Sequence, residues 1–304
     1  MTPSLHPATF PRRTLAIAAS VVAVIVASVV LAPPLHALLP FPFHVVFKRL
    51  LTLGTLAVLV VFVRVRRETL ERCGLTWRDG SGTPLVVGFV VGATGLTLLL
   101  AATLASGHAS LVPRDFTSMK WVTVTAGAVL TGVLVGPIEE FVFRGLLFTW
   151  VRDRVFRGRV PSALLATSVA YALLHFIDVR RPAIGTDPGV IDSLRLMAAP
   201  FRAFGDVGTL WPAGVGLFLF GLVLNALVVR TGALHASMGL HAGCVAVLRL
   251  VPYLMTFASD GVRWWGTKKV YDGVAGWVAI LLIGVILAML LRPRSHEPRS
   301  QVRR

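Results

Sequence analysis

Apolar residues in this chain come in long runs, not at the spacing of an amphipathic surface helix. About eight runs approach the roughly 20 residues that a bilayer-spanning helix needs: 14–32, 44–63, 85–105, 118–136, 160–176, 212–230, 232–251 and 274–291. The pattern predicts an all-α, polytopic transmembrane helix bundle. No internal repeat divides it, and the tail at 292–304 is the only low-complexity stretch, so the chain reads as a single integral membrane domain over 1–304. Arg12-Arg13 and an apolar run from Leu15 resemble a signal peptide. The run continues to Ala32 and meets Pro33-Pro34 instead of a small-residue cleavage site, which predicts a retained first helix.

Composition agrees with lipid as the solvent. Hydrophobic residues make up 55% of the chain, charged residues 14%, and the mean hydropathy is +0.77. A soluble domain carries about 25% charged residues, so that class is excluded. The net charge of +16 would suit a nucleic-acid partner, but the basic residues lie between apolar runs, where membrane orientation requires them, and no nucleic-acid module is present. Arg12-Arg13, Arg64 to Arg67 with Arg72, Arg152 to Arg159, and the basic tail at 292–304 all fall on one side of an eight-span topology. Both termini are therefore expected in the cytoplasm, with the protein in a bacterial-type inner (plasma) membrane. The opposite loops, 177–211 and 252–273, carry charge of mixed sign or modestly basic charge. Cys73 and Cys244 stand in no metal or redox spacing and read as unpaired small hydrophobes.

Gly136-Pro137 interrupts the fourth run, yet helix-forming residues continue to about Val151. Proline removes an amide donor and clashes with the preceding turn, so a broken helix is expected there. Irregular backbone at membrane depth is tolerated only inside protein or beside water, which points to a wet cavity near residue 137.

Directly after it comes Glu139-Glu140-Phe141-Val142-Phe143-Arg144. Ionisable groups inside a membrane are costly and mark function. Glu140 and Arg144 are four residues apart and can pair along one helix face, which leaves Glu139 free for a different role. A solvated helix end with an ordinary ion pair is the bland alternative, and the apolar residues on both sides argue against it. His175 closes an apolar run, and His241 lies among small residues in Ser237 to Gly243. Either alone would more often be a packing or interfacial histidine; His235, near the start of its span, reads as interfacial. Depth joins the set. At 1.5 Å rise per residue, Glu139 and His175 lie roughly 20 and 22 Å inward from the basic side and His241 roughly 14 Å. One Glu and two imidazoles can activate water for attack on a carbonyl and stabilise the oxyanion. Glu139, His175 and His241 could equally ligate zinc or a similar divalent metal, although HExxH is absent, as is any GxSxG nucleophile context.

In this order the residues resemble the CPBP family of intramembrane proteases, which includes type II CAAX prenyl endopeptidases and bacteriocin-processing or self-immunity proteins. The family's EExxxR is matched by Glu139, Glu140 and Arg144. Its FxxxH is matched at His175, with Tyr171 in place of Phe. Its last motif, His followed four residues later by Asn or Asp, is matched at His241 but has Val245. The resemblance covers about 120–250 as the catalytic core. It implies that Glu139 is the general base on water, assisted by His175, that Glu140 and Arg144 hold the geometry, and that His241 stabilises the oxyanion. Val245 removes the family's second oxyanion donor; Asn225, on the neighbouring span, is a candidate substitute, with a helix-packing amide as the bland alternative. The expected function is an intramembrane endopeptidase acting on membrane-associated polypeptides, prenylated CAAX-type or signal-like, with no cofactor on the glutamate-type reading and a divalent metal on the other. Its expected partners are the lipid bilayer and that polypeptide. Two other readings stand beside it: a weakened regulator or immunity-type protein of the same fold, which Val245 favours, and a proton-coupled transporter, which the lack of paired broken helices in two halves disfavours.

Overall fold

The fold was obtained as a computed structural model that describes residues 10–62, 71, 73–77, 80–176, 184–185, 187–199, 201, 204, 207–291 and 293. The basic segments at 63–70 and 294–304, and much of the loop at 177–211, lie outside the described residues. Among those described, the chain is all-α apart from one pair of three-residue strands. Its helices are α1 (Phe10–Leu38), α2 (Phe43–Phe62), α3 (Gly82–Ala105), α4 (Ser118–Glu140), α5 (Val160–His175), α6 (Val190–Ala198), α7 (Val207–Thr231), α8 (His235–Leu254), α9 (Val262–Trp265) and α10 (Val274–Leu290). Strand β1 (Ala109–Leu111) pairs antiparallel with β2 (Met255–Phe257).

Each of the expected apolar runs coincides with a helix. Among the described residues, five helical stretches are long and apolar enough to cross a membrane: Ala19–Leu38, Gly82–Ala105, Ser118–Val155, Leu210–Thr231 and His235–Leu254; Val160–His175 and Val274–Leu290 are apolar but shorter. The outward faces carry what lipid accepts, with Leu98, Leu130, Leu282 and Met289 exposed. The chain is an integral membrane protein.

Proline sits differently from expectation at two places. Helix α1 runs through Pro33-Pro34, so Val29 and Val30 lose their usual helical amide donors. Helix α4 runs through Pro137 without a break. Part of the penalty at an X-Pro step is the clash of the proline ring with the preceding Cβ, and Gly136 has none. The departure from α geometry comes four residues later, where a π-helical segment, Phe141–Phe148, carries the helix onward, followed by a second at Val151–Val155. Such wide turns are frequent at functional sites.

The chain forms two compact units, one of residues 1–69 with 176–206, the other of 70–175 with 207–304. In the first, α1, α2 and α6 pack around Val29, Ala32, Phe43, Phe47 and Leu196. The second holds every candidate site residue. Its spine is α8, nearly all of which is buried from His235 to Gly243. Lipid tails are as apolar as leucine, so helices in a membrane associate by close packing through small residues. Three small-xxx-small pairs supply it: Gly88 and Gly92 on α3, Gly132 and Gly136 on α4, and Gly239 and Gly243 on α8. A Cβ on Gly132 would collide with the carbonyl oxygen of Ala242, and one on Gly239 with that of Leu85. Helix α8 is thus held between α3 and α4 at backbone contact distance. On its other flank Leu224, Leu227, Leu240, Ile283 and Leu287 join α7, α8 and α10 in one apolar cluster. Cys73 and Cys244 are both free and buried, and burial pushes the Cys73 thiol above its ordinary value.

Candidate active site

Glu139 and Glu140 end α4, and being adjacent they point about 100° apart around the helix. Glu140 is fully buried, while the Glu139 side chain keeps 31% of its surface exposed. Arg144 comes from the first turn of the π segment. Its Nη1 donates to Glu140 Oε1 at 3.0 Å, its Nη2 to the Gly221 carbonyl of α7 at 3.4 Å, and its guanidinium carbon lies 4.2 Å from the centre of the Tyr171 ring. Arg144 is only 1% exposed, so this ion pair sits where removing either partner would strand a charge.

The close α4–α8 crossing brings His241 to the same carboxylate. His241 Nδ1 lies 2.9 Å from Glu140 Oε1. That oxygen already accepts from Arg144 and belongs to an acceptor-only group, so Nδ1 carries the hydrogen. His175, the last residue of α5, has Nδ1 at 2.9 Å from the Tyr171 carbonyl; a carbonyl only accepts, so here too Nδ1–H donates. Each ring is thereby turned so that Nε2 faces Glu139. The distances to Glu139 Oε2 are 3.5 Å from His175 and 3.8 Å from His241. That carboxylate oxygen is buried and has no hydrogen-bond partner among the described residues. Two imidazole nitrogens and an unpaired carboxylate oxygen therefore converge, a grouping suited to holding a proton or a small polar molecule.

A cavity of about 210 Å³ adjoins the cluster. Tyr171, His175 and His241 line it on the cluster side, Lys269 and Tyr271 also border it, and Leu217, Val245 and Ile283 are among the apolar residues that line most of the rest. The five residues Glu139, Glu140, Arg144, His175 and His241, picked out in sequence, meet in one place. Asn225 is spent elsewhere. Both amide hydrogens go to hydroxyls of α5, Thr167 Oγ1 at 3.1 Å and Ser168 Oγ at 3.0 Å. Among the described residues no group of three or more His, Cys, Asp or Glu side chains has a metal-ligand arrangement. His235 is buried near Trp77, whose ring lies edge-on at 5.0 Å, and takes no part in the cluster.

Sequence reasoning passed over Tyr171 except as a stand-in for Phe. It is central: its carbonyl sets the His175 tautomer, and its ring lies under Arg144 and 6.3 Å from the His241 ring. The available signal was an aromatic residue one helical turn before a histidine. The glycine pairs on α4 and α8 were also legible as small-xxx-small spacing but were not tied to the site.

A helical membrane bundle with carboxylates and imidazoles gathered in its interior defines a polytopic membrane protein with a buried polar site. Residues 121–247 match the family model described as Rce1-like, type II CAAX prenyl endopeptidase. The match contains all five clustered residues, and over this segment the chain is similar to that family. No curated protein and no solved structure matched the chain.

Proposed function

We propose that the protein hydrolyses a peptide bond of a membrane-associated polypeptide with water activated by Glu139. The observation that carries this reading is the convergence of two Nε2 atoms on the unpartnered Glu139 oxygen, beside an apolar cavity. A water at hydrogen-bond distance, about 2.8 Å, fits at the apex above Glu139 Oε2 and His175 Nε2. It would give one hydrogen to each. As its oxygen bonds to the substrate carbonyl carbon, Glu139 takes a proton and the carbonyl electron pair moves onto oxygen. When the C–N bond breaks, Glu139 returns that proton to the leaving amine.

His241 is placed to meet the oxyanion. Its Nδ1–H is committed to Glu140, so donation from Nε2 requires the imidazolium form. In that state Glu139, Glu140, Arg144 and His241 sum to zero charge, which a low-dielectric interior favours. Glu140 and Arg144 then act as positioning residues, and the apolar cavity suits an apolar group near the scissile bond. The family description supports a CAAX-type, prenylated substrate, and signal-like peptides share the same membrane-bound chemistry. The basic loops support cytoplasmic termini in a bacterial-type inner membrane.

The test is cleavage of a membrane-peptide library that includes farnesylated C-terminal peptides, by purified wild type and Glu139→Ala, with and without chelator. Cleavage that survives chelator and disappears in Glu139→Ala is the expected result; loss of wild-type cleavage with chelator would move the same residues to a metal mechanism. One observation favours a second reading. Val245 lines the cavity next to His241 without a donor, so a wild type that cuts nothing in the library would point to a regulator or immunity-type protein of the same fold.

A further inference from the structure

A second cavity, of about 600 Å³, is lined by Arg144, Phe148 and Arg152, by the start of α5, by the end of α7 and by Glu71, Cys73 and Gly74. Its volume is within the range of small-ligand sites. Its charged lining is unbalanced, with Arg144, Arg152 and Arg230 against the single carboxylate of Glu71. Arg144 is only 1% exposed. While Nη1 and Nη2 serve Glu140 and Gly221, its buried Nε has no partner among the described residues. Arg230 is half-buried and bonds through Nε to the Leu291 carbonyl at 3.2 Å. Arg152 pairs with its neighbour Asp153, a partly exposed contact worth little. A fully buried N–H without an acceptor is destabilising, and basic pockets between helices at the cytoplasmic membrane face take anionic headgroups.

We infer that this cavity is an anion site for a phosphate or phosphodiester group, with the Nε edge of Arg144 as its floor and Arg152 and Arg230 as its rim. Planar guanidinium groups match phosphate oxygens in pairs. Two sources share this chemistry, the headgroup of an anionic phospholipid and free phosphate. The site is independent of the proteolysis reading, since its occupancy is read without any cleavage.

The test uses the delipidated full chain in neutral detergent. Retention of phosphatidylglycerol is counted by native mass spectrometry against phosphatidylcholine, and melting is followed during titration with each lipid and with inorganic phosphate. Wild type is expected to retain phosphatidylglycerol selectively and to melt higher with it. The Arg152→Gln/Arg230→Gln variant, which loses two guanidinium contacts each worth at least about tenfold, should bind about a hundredfold more weakly. A shift with inorganic phosphate alone assigns the site to free phosphate; a shift with phosphatidylglycerol alone assigns it to lipid. The inference is overturned if wild type responds to neither anion, or if the double variant responds as wild type does. Should that variant fail to fold, Arg152→Lys/Arg230→Lys keeps the charge but not the paired geometry, and undiminished binding by it would overturn the role of the guanidinium forks.

Discussion

Glu140 and Glu139 approach the His241 ring at its two different nitrogens, Glu140 Oε1 at 2.9 Å from Nδ1 and Glu139 Oε2 at 3.8 Å from Nε2. Neighbours in sequence, they have different environments: Glu140 is fully buried and bonded to Arg144 through Oε1, Glu139 is partly exposed, and the Oε2 of each has no hydrogen-bond partner among the described residues. Their substitutions should therefore separate. Glu139→Gln is expected to lower cleavage about 10²–10⁴-fold with melting within the range of an ordinary surface change. Glu140→Gln leaves Arg144 as a buried charge without its counter-ion, at about 3–5 kcal/mol, and should lower melting and activity together. Equal melting for the two variants would show that the division of roles is wrong.

Arg144 serves three groups at once: the Glu140 carboxylate, the Gly221 carbonyl and the Tyr171 ring. Lysine keeps the charge but not the flat fork that reaches all of them. Arg144→Lys should lose about 1–3 kcal/mol, read as a lower melting temperature of the purified protein in detergent. A melting curve that overlays wild type would rule out the fork as the holding element.

Two glycines of one helix give opposite signs. Nothing lies within 4 Å of a Cβ placed on Gly127, whereas one on Gly132 meets the Ala242 carbonyl oxygen. Gly127→Ala should stabilise by about 0.5–1 kcal/mol through backbone entropy. Gly132→Ala should destabilise by about 1–3 kcal/mol through overpacking and move His241 with its helix, so cleavage falls as well. Parallel melting and cleavage assays on both variants decide it, and the same sign for both would mean the α4–α8 contact is looser than described.

Val245 stands one turn beyond His241 and lines the cavity with it. Val245→Asn adds an N–H on that wall. If oxyanion stabilisation limits the rate, turnover on a given peptide should rise, by up to about 10²–10³-fold. An unchanged or lower turnover number would show that the missing donor is not what limits this protein.

Much of the site was legible because membrane chemistry makes its residues conspicuous. Glu139, Glu140 and Arg144 stand out in an apolar run, their four-residue offset announces the ion pair, and the helical rise brings His175 to the same depth as Glu139. The apolar runs gave every helix that can cross a membrane. What escaped was set by tertiary contact. Nothing local says that His241 bonds the buried carboxylate, because that depends on how closely α4 and α8 cross. The Asn225 amide goes to Thr167 and Ser168, fixed by the α5–α7 packing. Pro137 suggested a break, yet Gly136 before it lets the helix continue, and the π turn at Phe141 has no compositional sign. Strands β1 and β2, three residues each, are too short to show a period.

The glycine faces that hold α8 between α3 and α4 bear on how reactivity is prepared. A helix seated backbone to backbone on two sides has little room to slide or rotate, and His241, midway along that contact, inherits the restriction. Glu140 and Arg144 fix its ring from a third direction. The alignment of imidazole with carboxylate is settled when the bundle folds and need not be repeated at each turnover, so the entropy of pre-organisation belongs to folding and not to the activation barrier.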